Sequence, residues 1–164
     1  MENPEWLHPL VLFDDFDGHW PSYEEAIYRY FRQDFVDSYP LFQGREVRLK
    51  RGPLVKGKEL TFWHLVSEGG MEEDRLPDLR RCERIRWPRP IIEHVQDTAV
   101  KLWRNCRRQE VRICLWLEDW EYLVILAVRR SSVILWTAYP VFEDHRKRKL
   151  RKEYDEYIKA DAAH

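Results

Sequence analysis

The sequence has few of the residues and motifs on which common cofactor and metal chemistries depend. It contains six glycines and has no G-x-G-x-x-G, G-x-x-x-x-G-K-[ST] or G-x-S-x-G motif. Little material is therefore available for a loop that cradles phosphates. Its six histidines never stand at metal-ligand spacing, and Asp14, Asp15 and Asp17 fit a surface loop better than a Mg²⁺ site. We expect no cofactor, no bound metal and no nucleotide-dependent enzyme of the common kinds.

Cysteine pairs and long apolar runs are also absent. Cys82, Cys106 and Cys114 form no C-x-x-C pair, and their odd number fits neither a disulfide framework nor a zinc site. No apolar run approaches the roughly 20 residues of a membrane span. The acidic start of the chain, residues 1–5, differs from the basic start of a secretory signal. These features predict a protein of the reducing cytoplasm with no membrane partner.

What the chain does have is apolar content and an uneven charge. Hydrophobic residues make up 44% of the 164 residues, which favours a folded core in a single domain despite 35% charged residues. Through Gly44 there are nine acidic and two basic residues, a net charge of −7; from Arg45 onward 26 basic and 20 acidic residues give +6. A basic body favours contact with nucleic acid, although both parts could be solvated faces of one domain.

The residue pattern predicts one α+β domain in three segments. Residues 1–44 form an acidic N-terminal arm and helix, 45–142 an α+β core, and 143–164 a very basic C-terminal helix. In the first segment, residues 6–16 suggest an edge strand or extended arm. A helix is expected to begin with Ser22 as N-cap and to stop before Pro40.

Within the core, we expect helices packed on a small antiparallel meander sheet. The strands predicted from alternation and apolar runs cover residues 46–51, 60–67, 111–117, 122–129 and 132–141, and the predicted helices cover 78–86 and 91–103. The run Leu60–Ser67 places His64 inside a buried strand. Arg130-Ser131 joins the last two strands as a hairpin.

Several short motifs of the core stand in a characteristic succession. Phe62-Trp63-His64-Leu65-Val66 precedes the arginine-dense stretch Arg75–Trp87 and then Ile91-Ile92-Glu93, and the closing hairpin ends in Thr137-Ala138-Tyr139. Over about Gly44 to Val141 the chain resembles phage and toxin-associated domains of the barnase–EndoU–colicin–RelE-like ribonuclease group. The resemblance implies an α+β fold whose exposed sheet face carries RNA. It also implies metal-independent cleavage, in which the ribose 2′-hydroxyl attacks the adjacent phosphate.

The resemblance assigns His64 as the general acid or base, because imidazole both takes and gives a proton near neutral pH. The alternative is a structural histidine on a sheet face. Arg80 and Arg84, four residues apart on one helix face, would stabilise the pentacoordinate phosphate, with Arg75 as an alternative clamp. Otherwise these arginines solvate a helix or pair with neighbouring carboxylates.

The end of the last strand supplies two further candidates. Thr137 and Tyr139 alternate, so they share a sheet face, while Trp136 and Ala138 take the other. The threonine hydroxyl could bond a phosphate oxygen, and the tyrosine could stack on a base or donate its proton. Both could equally be ordinary residues of a core strand. The lysine or second histidine that some relatives place in the site is not assignable from sequence.

The C-terminal segment carries the run Arg146, Lys147, Arg148 and Lys149, which either attracts phosphates or forms a solvated tail. The resemblance implies an endoribonuclease of toxin type that acts on tRNA, rRNA or mRNA. It also implies a neutralising antitoxin or immunity protein as a partner. The alternatives are a non-catalytic RNA-binding module and a protein–protein interaction domain.

Overall fold

A six-stranded sheet organises the molecule, with strand order β1-β2-β8-β7-β6-β5. The computed structural model describes residues 2–69 and 76–163. The strands of this sheet are β1 (Leu41–Phe42), β2 (Arg45–Arg48), β5 (Lys101–Arg107), β6 (Glu110–Leu117), β7 (Tyr122–Val128) and β8 (Val133–Pro140). Strands β5 to β8 form the expected antiparallel meander, whereas β2 pairs with β8 in parallel, so the sheet is mixed.

The α+β prediction is confirmed. The described residues contain five α-helices: α1 (Trp20–Phe35), α2 (Leu60–Val66), α3 (Leu79–Glu83), α4 (Pro88–Glu93) and α5 (Asp144–Ala162). A short antiparallel pair, β3 (Ser67–Glu68) and β4 (Leu76–Pro77), lies between α2 and α3. The candidate clamp Arg75 lies outside the described residues. No helix within the described part of the chain is long and apolar enough to cross a membrane.

The main core lies between helices α1 to α4 and one face of the sheet. From α1 it receives Ile27 and Phe31, and from β6 and β7 it receives alternate residues such as Leu115 and Val124, all fully buried. The near-continuous apolar runs of β6 and β7 follow from burial on both faces of these central strands.

The opposite face of the sheet is covered in part by α5. Trp103, Trp116 and Leu123 form a second apolar cluster, against which Tyr154 and Tyr157 of α5 pack. The Nε1 atom of Trp103 donates to Oε1 of Glu153 at 2.8 Å. The sheet face that was expected to be exposed to RNA is therefore only partly open.

Three predicted elements differ in the structure. Residues 60–66 form a helix and not a strand, because Phe62, Leu65 and Val66 are buried at helical spacing; a short apolar run does not distinguish the two by itself. The expected helix over 91–103 ends at Glu93, and only its last three expected residues, 101–103, are regular again, as the start of strand β5.

The third difference lies in the N-terminal arm. The only regular element of residues 6–16 is a 3₁₀ helix at Phe13–Phe16, and no strand is present there. The backbone N–H of Val11 donates to the carbonyl of Glu83 at 2.9 Å, so the arm is held by α3 instead of a sheet edge. Helix α1 begins at Trp20 with His19 as N-cap, and not at Ser22, because the imidazole accepts from the Ser22 N–H at 3.3 Å.

Candidate functional site

An irregularity in β8 determines which side chains meet on the open part of the sheet face. Leu126 pairs with Leu135, but Ile125 pairs with Thr137, so Trp136 is an extra residue between them. Such a β-bulge reorients a side chain. Thr137 and Tyr139 share the face of their partners Ile125 and Leu123, as predicted. Trp136 was expected to share the opposite face with Ala138, but because of the bulge its ring contacts Arg112 on the partly open face.

The indole of Trp136 lies between cations from both sides of β8. Nζ of Lys50, which follows β2, and Cζ of Arg112 on β6 each lie 3.9 Å from the ring centroid. Cation–π contact at this distance is favourable, and it holds two positive charges beside a partly exposed strand. We define the open half of the sheet face as Arg107, Arg112, Ile125, Trp136 and Thr137, which α5 leaves half-buried or exposed.

His64 adjoins this surface through Lys50. The ammonium Nζ of Lys50 lies 3.3 Å from Nδ1 of His64, and both side chains are half-buried. The contact engages the Nδ1 atom of the ring and not its Nε2 atom. Thr61, Phe62, Leu65 and Val66 of helix α2 are buried, whereas His64 lies on a half-buried face of the helix. Lys50 is thus a basic residue, not assigned from the sequence, whose ammonium lies beside the imidazole of His64.

Arg81 fixes the backbone beneath His64. Its Nη1 atom donates to the carbonyls of His64 and Ser67, both at 3.0 Å, and its Cζ lies 5.4 Å from the centroid of Tyr139. It satisfies carbonyls at the end of α2 that have no partner within the helix. Arg81 was not among the residues predicted from the sequence, since nothing in an arginine-rich stretch distinguishes the one that turns inward.

A second group of polar residues surrounds Tyr139. Arg81 and Arg146 both lie against its ring, with Arg146 Cζ 5.3 Å from the centroid. A cavity of about 160 Å³ here is also lined by Glu68, Asp78 and Glu143. Burial raises the pKa of Tyr139 above its ordinary value, although Arg146 opposes this, so the phenol stays a proton donor at neutral pH.

The two arginines chosen from the sequence lie around Glu83 and not beside His64. Nη1 of Arg80, whose side chain is 65% exposed, lies 3.1 Å from the buried carboxylate of Glu83. Nη1 of Arg84 donates to the Arg80 carbonyl at 2.9 Å, and its guanidinium packs against Trp87 and Phe142. Arg84 is 13% exposed, and burial lowers its pKa. No described contact joins either residue to the imidazole of His64.

The basic run at the start of α5 divides into different environments. Arg146 lies on Tyr139, and Lys147 pairs with Glu121. Arg148 and Lys149 are exposed and form no ion pair with a described residue. Their role in attracting phosphates stays a prediction.

Within the described ranges, no group of three or more His, Cys, Asp and Glu side chains is placed to hold a metal ion. Comparison of the chain with protein families, curated proteins and solved structures gave no match.

Proposed function

We propose that the protein is an endoribonuclease that cleaves RNA by attack of the ribose 2′-hydroxyl on the adjacent phosphate. One observation carries the proposal: Lys50 contacts both His64 and Trp136, the second of which belongs to the open half of the sheet face. A proton-transfer group, a cation and an aromatic ring are the side chains that this reaction and its substrate use.

In the proposed reaction His64 acts as the proton carrier. The imidazole takes the proton of the 2′-hydroxyl as its oxygen bonds to phosphorus. It gives a proton to the 5′-oxygen as the P–O5′ bond breaks. The products are a 2′,3′-cyclic phosphate and a 5′-hydroxyl, and no oxidant or further reactant is needed. Histidine suits both transfers, since its two protonation states are both accessible near neutral pH.

In the proposed reaction, Lys50 and Arg112 stabilise the negative charge that develops on the phosphate. The phosphorane intermediate carries an extra negative charge, which preorganised cations stabilise most effectively where solvent is partly excluded. Trp136 holds both cations at 3.9 Å, so their positions are fixed before substrate binds. Arg81 is a positioning residue, because it contacts the backbone of His64 and not the reacting atoms.

The cleavage assay tests the proposal directly. Purified protein, shown to be folded by circular dichroism, is incubated with total RNA in excess EDTA, beside a His64→Gln preparation purified in the same way. We expect cleavage by the wild type alone, with fragments that a polynucleotide kinase labels at their 5′-hydroxyl ends. Intact RNA at every protein concentration, or fragments with 5′-phosphate ends, would contradict the proposal.

The resemblance to toxin domains suggests a neutralising protein as a second partner. An unrestrained ribonuclease depletes translation, so we expect slower growth of bacteria that express the wild type than of bacteria that express His64→Gln at an equal level. Equal growth at equal expression would count against the toxin assignment while leaving the cleavage assay to decide the activity.

A non-catalytic RNA-binding module is the second candidate function. The same open half offers Arg107 and Arg112 beside Trp136, and Lys50 adds a further cation on the Trp136 ring. Binding without cleavage in the assay above would favour this function.

A further inference from the structure

We infer that RNA is bound along a track of arginines at one end of the sheet, which we call the hairpin end: residues 107–112 and 129–132. The inference rests on the proposed function for the identity of the ligand. Of the residues at the hairpin end, only Arg112 also has a role in the proposed cleavage reaction. It assigns phosphate contacts to Arg107, Arg108 and Arg130, and these contacts lie beside the cleaved bond instead of at it.

The topology places these residues together. Arg108-Gln109 connects β5 to β6, and Arg130-Ser131 connects β7 to β8. Because β6 and β7 are antiparallel neighbours, both turns lie at the same end of the sheet. Glu110 joins them, since its carboxylate binds Arg112 of its own strand and Arg129 of the other turn.

The charge at this end is strongly unbalanced. Residues 107–112 and 129–132 contain five arginines and one carboxylate, Glu110. The hydrogen bond from Arg112 lowers the pKa of Glu110, so this carboxylate is ionised at neutral pH. Arg107, Arg108 and Arg130 are exposed and form no ion pair with a described residue. A cluster of five arginines with a single neighbouring carboxylate is suited to binding a polyanion.

The backbone of the first turn holds Arg108 in an unfavourable conformation. Arg108 has φ of 51° and Gln109 has φ of 66°, so two successive non-glycine residues adopt the left-handed conformation. Two-residue hairpin turns of this kind favour Asn-Gly, because glycine and asparagine tolerate positive φ best. The chain instead presents a long arginine side chain at a position where arginine is unfavourable, a pattern seen where strain serves a site.

The cations continue from the turns to the proposed reaction centre. The guanidinium of Arg112 contacts both Glu110 and the Trp136 ring, and Lys50 on the same ring contacts His64. Strands β6 and β8 are two positions apart in the sheet, about 10 Å. A single strand of RNA laid across them would place one phosphate near His64 and its neighbours near Arg107, Arg108 and Arg130.

The turn conformation allows a test in which stability and binding change in opposite directions. In Arg108→Gly the strain is relieved and the charge is removed, so the midpoint of unfolding should rise while RNA affinity falls. In the matched variant Gln109→Gly, the midpoint should also rise with affinity unchanged. Arg29→Gln on α1 removes an exposed charge on the opposite side of the sheet and controls for net charge.

Binding is measured by fluorescence anisotropy with a fluorescein-labelled single-stranded RNA oligonucleotide over a series of salt concentrations, in a His64→Gln background. Each lost phosphate contact should reduce the slope of log K against log salt by about 0.7. The triple variant Arg107→Gln, Arg108→Gln, Arg130→Gln should reduce it by about 2. Arg29→Gln should leave it unchanged.

Two results would overturn the inference. One is that Arg108→Gly and the triple variant keep the affinity and the salt slope of the parent protein. The other is that Arg29→Gln lowers the slope as much as Arg108→Gly does. Failure of the proposed function is a separate outcome. If the wild-type protein leaves RNA intact and the Arg108→Gly variant binds RNA more weakly, the arginine track is correct and the catalytic assignment is wrong.

Discussion

The ammonium of Lys50 lies 3.3 Å from Nδ1 of His64 and 3.9 Å from the centre of the Trp136 ring. Lys50 therefore links the only proposed proton carrier to the cations of the open half. This link has two consequences, one for His64 and one for Lys50 itself.

Replacement of His64 by Gln should lower the rate of RNA cleavage by at least about a hundredfold, since a positioned proton-transfer group contributes 10²- to 10⁴-fold. The midpoint of thermal unfolding should change little, because the side chain is half-exposed and the core of α2 is untouched. His145→Gln, an exposed histidine paired with Glu143, is the matched control and should retain full activity. A His64→Gln protein that cleaves at the wild-type rate would remove His64 from the mechanism.

Lys50 is proposed to act through its charge, so Lys50→Arg should retain most of the activity and Lys50→Met should lose about a hundredfold. Arginine keeps both the positive charge and the contact with the Trp136 ring, whereas it does not release a proton in proteins. Initial rates on a labelled RNA measure the difference. If Lys50→Arg is as inactive as Lys50→Met, Lys50 acts by proton transfer; if Lys50→Met is fully active, it has no role.

Asp34, near the C-terminal end of α1, makes stability depend on pH. Burial raises the pKa of its carboxyl from 3.8 to about 6, against the opposing charges of Arg89 and Arg86, while Glu93 adds to the rise. The folded state therefore holds this proton more tightly than the unfolded state does. The resulting stabilisation is complete below pH 3.8 and is lost as the pH rises through about 6.

Asp34→Asn should therefore raise the free energy of unfolding near neutral pH, where the wild type buries a charge, and the difference should vanish below pH 3.8. Urea unfolding of both proteins at a series of pH values checks this. A wild type that is stabilised by ionisation of Asp34, with Asp34→Asn weaker at neutral pH, would show that Arg89 and Arg86 outweigh burial.

The parts of the fold that could be predicted are those encoded locally. Strands β6 to β8 and helix α5 follow from apolar runs, the Arg130-Ser131 turn and the basic amphipathic pattern, and all four lie near the expected residues. Helix α2 could not be predicted, since seven apolar and polar residues are too few for the periodicity to identify a helix.

Only some residues of the candidate site could be predicted, because the others come together through long-range strand pairing. Thr137 and Tyr139 share a face because alternation alone decides it. Lys50 and Arg112 lie on the Trp136 ring because of how strands distant in sequence pair with one another, and because of the bulge between Leu135 and Thr137. A bulge leaves no clear mark in the sequence, so neither cation could be assigned in advance. The alternation of residues 46–51 predicted a strand that includes Lys50, but strand β2 ends at Arg48 and Lys50 follows it.

Arg81 and Arg80 provide the sharpest contrast between neighbouring residues. Arg81 is 16% exposed and its Nη1 atom donates to two carbonyls at the end of α2, whereas Arg80 is 65% exposed and contacts Glu83. Loss of hydrogen bonds from a charged group to buried acceptors costs about 1.5–3 kcal/mol. Arg81→Met should therefore lower the free energy of unfolding by about this amount. It should also lower cleavage, because the backbone that carries His64 loses its support.

Arg80→Met should separate these two effects. It removes the closest cation of the buried Glu83 carboxylate, so it also lowers stability, but it leaves the contacts of His64 intact. Assayed well below both unfolding midpoints, Arg80→Met should cleave RNA at the wild-type rate and Arg81→Met should not. The opposite result would be loss of cleavage in Arg80→Met with full activity in Arg81→Met. It would support the sequence-based prediction that Arg80 stabilises the transition state. It would also contradict the placement of the reaction centre beside Lys50 and Trp136.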